Sequence, residues 1–162
     1  MFNSLRLIDQ AKVIVGCPPA ALATTAGDGD YVSMKGYDRL TVLIAVDNAT
    51  TVTGGAVTLK QATAVAGTSE KALSFATMFA NLDVAAGEDL TETAVTSDTF
   101  TTLTTDNKNL LYVIEVKASD LDVDGGFDCV RVDVASMASA VGCVLYILHP
   151  QRYSAGVTAT AD

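Results

Sequence analysis

Four carboxylates crowd one short stretch of this chain, Asp120-Leu121-Asp122-Val123-Asp124-Gly125-Gly126 with Asp128 close behind. Their spacing imitates the start of an EF-hand loop, where carboxylates at positions 1, 3 and 5 converge on calcium and a glycine at position 6 permits the sharp turn. The imitation stops there. Position 12 of such a loop would be Arg131, where a bidentate Glu is needed, and Leu121 and Val123 are apolar for a cation loop. The flanks read as strands, so an acidic β-turn explains the string, and a calcium-dependent binding module or hydrolase using Asp120, Asp122, Asp124 and Asp128 is the alternative. A glycosidase pair could be drawn from the same carboxylates, but a chain without Trp and poor in aromatics is ill suited to stacking sugars.

The single histidine, His149, stands at a predicted strand end before Pro150. No Cys or second His lies near it, so it builds no His-rich metal centre, and nothing local supplies the nucleophile of a triad. Gly-x-Ser-x-Gly and the phosphate-binding glycine signatures are absent, and Gly54-Gly55 and Gly125-Gly126 fall between predicted strands as turns. Cys17, Cys129 and Cys143 form no Cys-x-x-Cys pair and leave one thiol over in any disulfide scheme. A hairpin of 127–134 with 141–148 would set Cys129 opposite residue 146 rather than Cys143, and all three thiols read as reduced core residues. The expectation is a protein that is not an enzyme and has no catalytic residue, metal or cofactor.

The elements that would position these residues are almost wholly β. Residues 31–35 and 39–47 read as strands around a Gly36 turn, with Leu40, Val42, Ile44 and Val46 on one face. Residues 56–65 alternate Val57 and Leu59 with Thr58 and Lys60, and 71–79 sets Leu73, Phe75 and Phe79 on one side. The Thr-rich stretch 90–103 has room for one or two short strands around Val95 and Phe100. Leu110, Tyr112, Ile114 and Val116 point inward against Glu115 and Lys117, as do Val130, Val132 and Val134 against Arg131 and Asp133. Residues 141–148 are apolar on both faces, as a central sandwich strand would be. The pattern predicts an antiparallel β-sandwich, jelly-roll-like, of about eight strands. Residues 1–29 form an N-terminal arm and connecting loop, 30–150 the sandwich, and 151–162 a flexible tail. Within the arm, Leu5, Ile8, Lys12 and Val15 have near-helical spacing, and Cys17-Pro18-Pro19 should stop any regular element.

Composition narrows the function classes. The chain has 162 residues, 49% of them hydrophobic and only 18% charged, with a net charge of −9 and a mean hydropathy of +0.34. The longest apolar runs, Val42 to Val46 and Val141 to Leu148, suit buried strands and are too short to span a bilayer. No secretory signal is seen in Met1 to Val15, which points to a cytoplasm. A surface so sparse in charge suggests that a partner covers part of it. The whole net charge lies in residues 80–135, where twelve acids face only Lys108, Lys117 and Arg131. No basic patch serves nucleic acid.

The runs DYVSMKGYDRLTVLIAVDN at 30–48, GGAVTLKQATAV at 54–65, KALSF at 71–75 and NLLYVIEVKASDLDVDGGFDCVRVDV at 109–134 resemble small structural proteins of the head-gene clusters of tailed bacteriophages. The likeness is to the head decoration or capsid cement proteins, and it covers most of the β region. It implies a β-sandwich that assembles as a homotrimer on the outside of a capsid, with the major capsid protein as partner and the virion, assembled in the host cytoplasm, as location. Phage neck and tail-tube proteins share the same style and are the alternative. No ligand residue carries over, because architecture and position define that group. The capsid contacts are assigned to the arm, at Leu5, Arg6, Leu7, Ile8 and Lys12, leaving the acidic zone to solvent or to a basic patch on the shell.

Overall fold

The computed structural model describes residues 7–23, 27–87 and 89–149. After one helical turn, Leu7–Gln10, come β1 (Lys12–Ala21), β2 (Gly27–Asp28), β3 (Val32–Ser33), β4 (Arg39–Asn48), β5 (Ala56–Ala62) and β6 (Lys71–Ala72). These are followed by β7 (Thr77–Asn81), β8 (Thr91–Ala94), β9 (Thr99–Thr101), β10 (Lys108–Lys117), β11 (Cys129–Val134) and β12 (Ala140–His149). They form an antiparallel β-sandwich, as the alternating pattern predicts. The first sheet runs β1-β12-β4-β10-β7-β8; the second runs β2-β11-β5-β6, with β3 also on β11 and β9 on β5.

The core follows from strand period. Leu40, Val42, Ile44 and Val46 of β4 and Leu110, Tyr112, Ile114 and Val116 of β10 are all buried, facing Val57, Leu59, Val130 and Val132 of the second sheet. β4 pairs with β10 on one side and β12 on the other, residue for residue from end to end. Two tyrosines stitch this core to backbone that the ladders leave over. β2 and β3 hold β11 at Asp133–Val134 and Cys129–Val130, and in the gap between them Val132 donates its N–H to the Tyr146 hydroxyl at 2.9 Å. The Val132 carbonyl takes the Gly29 N–H. Likewise Leu103 N–H donates to the Tyr112 hydroxyl at 2.9 Å.

Three sequence expectations are corrected. Cys17-Pro18-Pro19 do not end the strand: β1 continues to Ala21 along β12, with register shifts between Val15 and Cys17 and between Cys17 and Ala20. Bulges on an outermost strand accommodate prolines, whose missing N–H would otherwise break a ladder. β11 and β12 form no hairpin. The chain changes sheet between them, so Cys129 pairs across to Ala62 and Ser33, and Cys143 to Ala45. The run 71–79 splits into β6 in one sheet and β7 in the other. The two short strands expected in the Thr-rich stretch are present, as β8 and β9.

Candidate interaction surface

Because side chains alternate across a strand, the residues between the buried ones face away from the core. On the first sheet these outward residues are also apolar. One row crosses the sheet as Val15, Leu145, Leu43, Val113 and Phe79; the neighbouring rows hold Val13 with Ile147, and Cys143 with Ala45 and Leu111. Val13, Val15 and Val141 are exposed and Leu43, Val113, Leu145 and Ile147 half-buried, with no third layer over them among the described residues. An open cleft of about 340 Å³ indents the face, lined by Pro19, Ala45, Val84, Leu111, Val141 and Cys143. It forms where small Ala45 and Cys143 lie between bulkier neighbours.

The two ends of this face differ in charge. At one end lie Arg39, Lys117 and His149, cross-strand neighbours, with the Arg39–Glu115 ion pair at 3.0 Å. Thr41 donates to Glu115 Oε1 at 3.2 Å and lies 2.7 Å from His149 Nε2. A hydroxyl has one proton, and the carboxylate takes it, so Nε2 must be the donor to Thr41. That arrangement is the reverse of a base activating a nucleophile. At the other end lies exposed Asp47, beside Asn109 and Val141.

The outer face of the second sheet has the opposite character. Lys60 bridges Glu70 at 2.6 Å and Asp133 at 2.7 Å, and Arg131 bridges Asp133 at 2.8 Å and Glu70 at 3.2 Å. Tyr31 donates to Glu70 at 2.6 Å and stacks under the Arg131 guanidinium. Hydrogen bonds from Lys60 and then Tyr31 hold Glu70 below the usual carboxylate range, and those to Asp133 and Glu70 hold Lys60 above its own.

The acidic string gathers no cation site. The Asp120 carboxylate accepts the Lys117 N–H; Asp122 pairs with Lys71 and accepts the Gly125 N–H, and both contacts lower its pKa, Lys71 the more. Asp128 accepts from the Cys129 thiol at 3.0 Å. No group of three potential ligands converges among the described residues. Burial first, then the Asp128 contact, pushes the Cys129 thiol up to about 12, so it stays protonated and inert. Cys17, Cys129 and Cys143 are in no disulfide among the described residues.

Of the arm residues singled out from sequence, Leu7 and Ile8 are 57% and 69% exposed on the helical turn. Lys12 is half-buried at the start of β1, paired with Leu148. Leu5 and Arg6, like the tail 151–162, lie outside the described residues. Sequence reading missed Leu43, Val113, Leu145 and Ile147 as surface. The signal was present in the two-sided apolarity of 141–148, which a two-layer sandwich cannot bury on both sides.

No sequence-family model matches the chain, and no curated protein matches it either. Among solved structures, the crystal structure of the SPBc2 prophage-derived protein YomS is similar, with a TM-score of 0.48 and 12% sequence identity over 85% of this chain and 92% of that one. The chain is an all-β, two-sheet antiparallel sandwich with one apolar and one ion-paired outer face.

Proposed function

We propose that this chain is a non-enzymatic structural component of a tailed-phage particle, which decorates the capsid by bridging subunits of the major capsid protein. The observation that carries the reading is the exposed apolar N-terminal turn ahead of β1, where Leu7 and Ile8 stand side by side in water. Large apolar side chains left in water at adjoining positions mark a surface meant to be covered. The sequence resemblance supplies the class of partner.

The physical logic is additive burial. A shell gains stability when many small clamps each bury surface that exists only in the mature lattice, because binding that state alone shifts the equilibrium towards it. The ion-paired second sheet suits the wet side of such a clamp.

The test uses heads that lack a decoration protein. Wild-type protein should co-sediment with them and raise the temperature at which they burst; neither effect occurring would overturn the proposal. Leu7→Asp with Ile8→Asp should lose attachment while the sandwich melts as before, since both side chains are exposed. Undiminished binding would remove the N-terminal segment from the mechanism.

A further inference from the structure

We infer that the apolar outer face of the first sheet is covered by a second copy of this chain, packed face to face about a twofold axis that runs across the strands along the Leu43–Val113 row. The inference stands apart from the capsid reading, because the pairing belongs to the protein alone.

Register decides the geometry. Arg39 and Asp47 lie four residues either side of Leu43 on β4, and Lys117 and Asn109 four either side of Val113 on β10. The cationic end and the acidic end are thus equidistant from one row, about 27 Å apart at ~3.4 Å per residue. Among the described residues neither Lys117 nor Asp47 has an ion-pair partner, and both are exposed. A twofold axis along that row lays each copy's Arg39 over the other's Asp47, and each Lys117 over the other's Asn109, next to that Asp47. Asp47, without an ion-pair partner among the described residues, then gains a cationic one, and the apolar Leu43 row meets its own copy.

Shape agrees with charge. The same axis carries Ile147 of one copy over Cys143 of the other, two residues beyond the central Leu145 on each side. Half-buried Ile147 is then the knob, and the cleft between Ala45, Leu111, Val141 and Cys143 is the hole. Four strands at ~4.8 Å spacing by ~27 Å of length, with the shorter β7 beside them, present about 600 Å² per copy, or about 1,200 Å² for the pair, above the ~1,000 Å² that a specific interface needs. An isologous contact of this kind closes at two copies, so the association is a dimer where the resemblance implies a trimer.

Sedimentation of the purified protein, without capsids, tests the inference. Wild type should be a dimer, and Leu43→Glu a monomer with a retained thermal transition. Asp47→Lys, at an exposed site that does not threaten folding, should raise the dissociation constant at least about tenfold, and adding Arg39→Asp should restore it. A monomeric or trimeric wild type would overturn the inference, as would a dimer indifferent to Leu43→Glu or a charge reversal that restores nothing. Loss of capsid attachment in the Leu7 and Ile8 variant leaves this readout unmoved, so the two readings fail separately.

Discussion

Tyr146 shows how much rests on single side chains here. It is fully buried, its hydroxyl takes the N–H that β11 would otherwise leave unpaired, and its ring lies against Gly16. Burial pushes its ionisation up, so the hydroxyl is a fixed neutral group. Tyr146→Phe should cost about 1–3 kcal/mol in urea unfolding, the penalty of orphaning a buried N–H. Gly16→Ala should also destabilise, because its Cβ would sit 2.4 Å from a ring carbon that the hydroxyl bond holds in place. Unchanged midpoints would refute both. From sequence, Tyr146 is one more apolar residue in a strand, and Gly16 merely precedes a cysteine and two prolines. The acidic string was more legible: its missing Glu and apolar Leu121 and Val123 argued for a turn, and Asp120 and Asp122 are tied to that turn's own backbone.

At the scale of elements, strands β4, β10 and β11 were readable because Leu40, Leu110 and Val130 each begin a strict apolar alternation. β1 was not, since prolines normally end a strand and only pairing with β12 supplies the bulges that tolerate Pro18 and Pro19. The ion-paired face joins the loop before β6 to β3's approach, β5 and β11, and gives the second sheet a pH dependence. Glu70's folded pKa lies below its ordinary 4.5, so its stabilisation is present above that pH and fades as the pH falls through the folded value. Glu70→Gln should therefore lower the melting temperature at neutral pH and lose that difference as acid takes the pH below the folded pKa of Glu70. A gap between mutant and wild type that persists in acid would show that the carboxylate's charge is not what stabilises the network.

In the whole molecule, the first and last strands are neighbours: β12 lies between β1 and β4. A chain ending at residue 139 would leave the β4 edge open and β1 without the β12 ladder, so it should show no cooperative thermal transition by circular dichroism; a sharp one would disprove the topology's importance. The acidity of 80–135 is also a property of the chain more than of the surface. Asp83 and Lys108 pair within that segment, but Glu115, Asp122 and Asp133 find Arg39, Lys71 and Lys60 from outside it. Sequence alone determined the β class, the inward sets of the long strands and the turn at the acidic string, because strand period and turn spacing are local. Which sheet each strand joins, which charges meet, and that the second apolar side of β12 faces outward were decided only by tertiary structure. Local alternation says that a face is apolar; only the packing of distant strands says whether anything within the chain covers it.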